Sequence, residues 1–222
     1  MNKLYKTAVI TGISSGIGLA LTKKLLNENY NVIGTTRSGK LDEFSHSNLK
    51  VIPLEATNQE SRENAISEIL AITTDIDLLV NNAGIAPDAF SNQPDFDSFT
   101  ETINTNVTSV IFFTESLLKN IKTGGKITFI SSSMGLLKNA APNGTAYRLS
   151  KNAINMYAAM LATRVIDKEI IVTPIHPGWV QTKLGGNQAP FTTEDSADGI
   201  YNAILLNTAS GKFWDITIPG LD

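Results

Sequence analysis

Short, β-branched and almost wholly apolar runs alternate along this chain with longer stretches whose apolar residues recur at helical spacing. The apolar runs fall at residues 7–11, 31–36, 50–54, 77–81, 126–131, 170–175 and 213–217, each short enough to be a strand. Several are apolar on both of their alternating faces, which predicts parallel strands covered by helices on either side. Residues 17–29, 58–73, 98–122, 145–167 and 196–206 read as helices, the first carrying Ile17, Leu21, Leu25 and Leu26 on one stripe. Thr57 is the expected N-cap of the second helix, with Glu60 three residues later completing a capping box. Strands alternating with helices predict βαβ units and an α/β fold, a doubly wound, mostly parallel seven-stranded sheet of Rossmann type. Right-handed crossovers would bring the strand C-terminal ends to one edge, where ligands bind. The least regular segments, 84–97, 134–144 and 180–193, all follow strands and are expected to gather at that edge.

Length and composition narrow the picture. A chain of 222 residues supports one sizeable core, and residues 1–222 are expected to form a single dinucleotide-binding domain with no linker or repeat. Hydrophobic residues at 42% and charged residues at 18% fit a globular enzyme-sized domain. A net charge of -3 offers no electrostatic basis for a nucleic-acid partner. There is no cysteine, which excludes disulfides, thiolate metal sites and a cysteine nucleophile. The lead-in Met1–Lys6 runs straight into the first strand, and no apolar run resembles a signal peptide or a membrane span. A cytoplasmic protein without membrane contact is expected.

Two local patterns carry chemistry. Between the first strand and the first helix lies Thr11-Gly12-Ile13-Ser14-Ser15-Gly16-Ile17-Gly18. Glycines there let the chain turn tightly and let backbone approach a pyrophosphate, while the helix N-terminus supplies N–H groups and a favourable dipole. The second pattern is Tyr147 and Lys151, at i and i+4 of an expected helix and hence on one face. A phenol loses its proton near pH ~10, and a neighbouring cation lowers that value, turning tyrosine into a usable acid and base. By spacing alone such a pair is most often solvated helix surface. The two histidines, His46 and His176, have no metal-ligand spacing, and no metal is expected. A hydrolase triad through Ser132 and His176 lacks a Gly-x-Ser-x-Gly elbow and is set aside.

The glycine spacing, Thr-Gly-x-x-x-Gly-x-Gly, together with Asn81-Asn82-Ala83-Gly84, Ser132, Tyr147-x-x-x-Lys151 and Pro177-Gly178 in that order, resembles the main branch of the short-chain dehydrogenase/reductase family. The match covers residues 6–182 closely. His176-Pro177-Gly178-Trp179-Val180-Gln181-Thr182-Lys183, followed by Gly185-Gly186, is similar to the C-factor and Sniffer-like carbonyl reductases.

The resemblance implies an oxidoreductase that moves hydride between NADP(H) and a carbonyl or secondary alcohol. Tyr147 would be the acid/base, Lys151 its tuner and a ribose contact, and Ser132 the group that bonds the substrate oxygen. Ser132 lies three residues before Gly135, as the family pattern asks, with Ser133 the alternative. Asn106 matches the helix asparagine that holds a relay water, and Asn104 is its alternative. Cofactor contacts are expected from Gly12, Ser14, Ser15, Gly16, Ile17, Gly18, Arg37, Glu55, Asn82, Ala83, Gly84, Tyr147, Lys151, Pro177, Gly178 and Thr182. Arg37 follows the second strand where a carboxylate would select NAD, so its guanidinium favours the 2′-phosphate of NADP. Glu55 stands where relatives carry aspartate near the adenine. Phe90, Met134, Leu136, Leu137, Trp179 and Phe191 suggest an apolar substrate lining. The two long helical segments, 98–122 and 145–167, imply a homo-oligomer by family analogy. An NADP-binding signalling or scaffold protein with little turnover is the alternative function.

Overall fold

The computed structural model describes residues 6–218, so the lead-in over residues 1–5 and the last four positions lie outside the described part. Seven strands, all parallel to their neighbours, form one sheet in the order β3-β2-β1-β4-β5-β6-β7. They are β1 (Lys6–Ile10), β2 (Tyr30–Thr36), β3 (Leu49–Pro53), β4 (Ile76–Asn81), β5 (Ile121–Ile130), β6 (Ile171–His176) and β7 (Trp214–Asp215). The helices are α1 (Gly16–Asn27), α2 (Gln59–Ile72), α3 (Phe96–Ile103), α4 (Ser109–Leu117), α5 (Thr145–Arg164) and α6 (Thr193–Leu206). Strand order reverses between β1 and β4, which opens a crevice beyond their C-terminal ends.

The period of two along each strand sorts side chains into two cores. Val9 and Leu79 face α2, α4 and α5 in a cluster with Ile127, Phe129, Ile154 and Tyr157. Ala8, Ile10, Leu78 and Val80 face α1 and α6, packing on Leu21, Leu25, Ile200 and Ile204. The near-continuous apolar runs are thus the consequence of burial on both faces. No helix among the described residues is long and apolar enough to cross a membrane.

Several boundaries differ from expectation for local reasons. The N-cap of α2 is Asn58, not Thr57: its Oδ1 accepts from the Ser61 N–H at 2.8 Å, and Glu60 completes no capping box. A capping box does form at α6, where Thr192 and Asp195 bond reciprocally, so that helix starts three residues before position 196. The expected helix over 98–122 begins at Phe96 under an Asp95 cap. It then passes through a π turn at Asn104–Thr108 and gives way to β5 at Ile121. Strand β7 is confined to two residues, shorter than the expected 213–217.

Candidate active site

The glycine turn is locked to the end of β4 by four hydrogen bonds. Thr11 Oγ1 accepts from the backbone N–H groups of Asn82 (3.0 Å) and Ala83 (3.1 Å). The Asn82 amide in turn donates to the carbonyls of Thr11 (2.9 Å) and Gly12 (3.0 Å). Asn82 therefore braces the turn with its side chain and faces the crevice only with what remains. A Cβ at Gly18 would stand 2.2 Å from the Gly12 carbonyl oxygen, so only glycine lets α1 start this close to the turn. Ser15, the N-cap of α1, makes no side-chain cap bond, which leaves N–H groups of the first helical turn available to an anion.

From this turn a cleft of about 810 Å³ runs along the sheet edge to Tyr147. Every catalytic and cofactor residue expected from the sequence lines it except Asn106, which is buried. Arg37 is exposed at one end and, among the described residues, has no ion-pair or hydrogen-bond partner. Glu55 lines the same end, its carboxylate accepting from the Thr57 hydroxyl at 3.4 Å. Opposite, the Thr182 hydroxyl accepts from the Gly185 N–H at 3.0 Å, and Gly178 takes a left-handed φ of 81° to bring the loop after β6 over the cleft. Phe90, Met134 and Trp179 line the cleft as expected, joined by Leu184. Leu136, Leu137 and Phe191 do not. Leu137 points to solvent, and Phe191 packs over Gly178 in a loop closed by the Val180–Phe191 bridge.

The three serines after β5 separate cleanly. Ser131 donates to Asn155 Oδ1 at 2.6 Å, and Ser133 pairs with His176 Nε2 at 3.3 Å. Only Ser132 turns to Tyr147, and its hydroxyl also accepts from the Met134 N–H at 3.2 Å. His176 reaches across to the serine loop, and burial lowers its pKa. No group of His, Asp and Glu among the described residues could hold a metal ion.

Tyr147 and Lys151 are both buried on one face of α5. Lys151 Nζ donates to the Ile130 carbonyl at 2.8 Å and lies 5.5 Å from the centroid of the Tyr147 ring. Burial pulls its pKa down to about 8. The phenol moves the other way from the sequence expectation: burial raises its pKa, with the Ser132 hydroxyl opposing. The ammonium sits over the ring and is tied to a backbone carbonyl, so desolvation of the phenolate outweighs its attraction. A raised value keeps the phenol protonated at neutral pH, the form that donates a proton.

Asn106 is buried in the π turn while Asn104 is exposed. Its Oδ1 accepts from the Ile85 N–H at 2.9 Å, and its Nδ2 donates to the Ile85 carbonyl (2.7 Å) and Ser150 Oγ (3.1 Å). Both amide hydrogens are committed, so its side chain clamps the loop after β4. Arg148, which sequence reasoning missed, holds the loop over 134–143 by bonds to the carbonyls of Asn139 (2.8 Å) and Asn143 (2.7 Å). Its place beside Tyr147 on the helix was the available signal.

The family model described as short chain dehydrogenase matches residues 6–192. A 3-oxoacyl-[acyl-carrier-protein] reductase of Vibrio harveyi is 30% identical over 221 residues, 97% of this chain and 86% of that protein. Among solved structures, the carbonyl reductase Sniffer of D. melanogaster superposes with a TM-score of 0.89 at 26% identity, covering 96% of this chain and 97% of that one. A short-chain dehydrogenase/reductase from Burkholderia multivorans with bound NADP gives a TM-score of 0.86 at 27% identity, again covering 96% and 97%.

Proposed function

The chain belongs to the short-chain dehydrogenase family, and from that footing we propose that it is an NADP(H)-dependent reductase of small carbonyl compounds, running in reverse as an alcohol dehydrogenase. The observation that carries this reading is the buried phenol of Tyr147, flanked by Ser132 and Lys151, at one end of a cleft whose other end is a glycine turn and Arg37, which has no partner among the described residues.

The residues present fit the cofactor. Gly18 lets α1 start against the turn, and Gly12, Ser14, Ser15, Gly16, Ile17 and Gly18 offer backbone and hydroxyls to a pyrophosphate. Arg37 would pair with the 2′-phosphate, Glu55 would meet the adenine, and Asn82, Ala83 and Gly84 would border the ribose. Pro177, Gly178 and Thr182 would border the nicotinamide, and Tyr147 and Lys151 its ribose. When bound, the cofactor supplies the hydride that reaches the carbonyl carbon. Ser132 donates a hydrogen bond to the carbonyl oxygen, where negative charge develops. Tyr147 gives that oxygen its proton, and the charged Lys151 stabilises the phenolate left behind until solvent reprotonates it. Asn106 keeps the loop at Ile85 and the helix at Ser150 in place around them.

Phe90 and Trp179 stand exposed at the mouth beside Met134 and Leu184, which suits a compact apolar carbonyl. The resemblance to the Vibrio harveyi protein over 97% of this chain favours a second reading, reduction of a 3-oxoacyl thioester. Phe112 on α4 and Leu149, Met156 and Met160 on α5 are exposed apolar side chains, and we include pairing of two copies through these helices in the proposal.

NADPH consumption measured over aldehydes, ketones, quinones and a 3-oxoacyl thioester, then repeated with NADH, tests the reading. Turnover on free carbonyls supports it, and preference for the thioester supports the second. Tight NADPH binding with no turnover on any of them would leave the binding-only scaffold function instead.

A further inference from the structure

Helix α5 starts without a cap of its own. Its N-cap position is Gly144, with φ 67° and ψ 41°, and glycine has no side chain to offer the first turn. Those N–H groups are met from elsewhere, by Asp88 in the loop after β4. Asp88 Oδ2 accepts from the Ala146 N–H at 2.7 Å, and Oδ1 accepts from the N–H of Tyr147 itself at 3.2 Å. Asp88 is 4% exposed. Two more bonds join the same segments: Gly144 N–H donates to the Ser91 carbonyl at 2.9 Å, and the Asn143 amide donates to the Ala89 carbonyl at 3.1 Å.

A buried carboxylate is costly unless its oxygens are hydrogen-bonded, and the positive end of a helix is a favourable place to satisfy them. A helix that needed only an ordinary cap would be served by serine, threonine or aspartate at the N-cap position itself. Here the cap comes from a different strand end, and one of its two bonds goes to the residue that carries the phenol. We propose that Asp88 is a positioning residue for Tyr147. It sets where α5 begins, and so where the phenol stands relative to Ser132. Through Ala89 and Phe90, the next two residues, it also ties the mouth of the cleft to the same helix start. The inference rests on the reductase reading above.

The test compares wild type, Asp88→Ala and Asp88→Asn for kcat, KM, NADPH affinity by fluorescence, and NMR amide exchange at Ala146 and Tyr147. Loss of both acceptors in Asp88→Ala is expected to lower kcat about tenfold or more. Its KM values and NADPH affinity are expected to stay within about twofold, with exchange at the two amides accelerated. Asp88→Asn keeps one acceptor oxygen and is expected to fall between Asp88→Ala and wild type. Wild-type kcat in either variant, or a loss confined to KM, would overturn the proposal. Should Asp88→Ala fail to fold, the Asp88→Asn comparison decides in the same way. Absence of turnover by the wild type would sink the reductase reading, whereas unchanged amide exchange in Asp88→Asn would separately sink the cap.

Discussion

The Lys151 ammonium lies 5.5 Å from the centre of the Tyr147 ring and donates to the carbonyl of Ile130, not to the phenol. The two groups are therefore shifted in opposite senses by one cause. Burial disfavours the charged form of each, lowering the lysine to about 8 and raising the tyrosine.

A pH dependence follows with a definite sign. The tyrosine stays protonated through neutral pH, while Lys151 is charged below about 8 and neutral above it. Carbonyl reduction at saturating NADPH is expected to hold steady on the acid side and to fall as pH rises through about 8, because the phenolate then loses its stabilising charge. A pH–rate profile from 6 to 10 checks this. In Lys151→Met the limb near 8 is expected to vanish along with most of the rate.

Arg37 governs cofactor choice in this account. Arg37→Ala removes the one guanidinium at the adenine end of the cleft and is expected to weaken NADPH about 10- to 100-fold, the worth of a charge-assisted hydrogen bond. NADH affinity should scarcely move. Fluorescence titrations with the two cofactors measure the difference, and equal losses for both would contradict the assignment.

The serines after β5 make a sharp pair of variants. Ser132 turns to Tyr147 and Ser133 to His176. Ser132→Ala is expected to lower kcat by about 10²–10³, the usual cost of a lost donor to developing oxygen charge. Ser133→Ala should lose far less. A reversal of that order would move the substrate oxygen to Ser133.

The sheet was legible in the sequence because parallel strands buried on both faces leave unbroken apolar runs, and their crossovers leave helical stripes. The glycine turn and the Tyr147–Lys151 spacing were legible because each is local, fixed within one turn or one helix. What escaped was set by partners far along the chain. Asp88 meets Ala146 58 positions away, so nothing near either residue announces the bond. The π turn around Asn106 arises where its amide engages Ile85 and Ser150, and helical periodicity carries no sign of it. The N-cap of α2 slipped by one residue because Thr57 and Asn58 are both good caps, and only the extended backbone of Asn58 chooses. The Thr192–Asp195 capping box was present in the sequence, with aspartate in place of the usual glutamate or glutamine.

The central claim is that Tyr147 protonates the substrate oxygen, and Tyr147→Phe tests it most directly. Phenylalanine keeps the buried ring and removes only the hydroxyl, so fold and NADPH affinity should persist. The account predicts carbonyl-dependent NADPH oxidation at least about 10²-fold below wild type, the scale of a lost general acid. Turnover within a few-fold of wild type, with NADPH still bound, would contradict it.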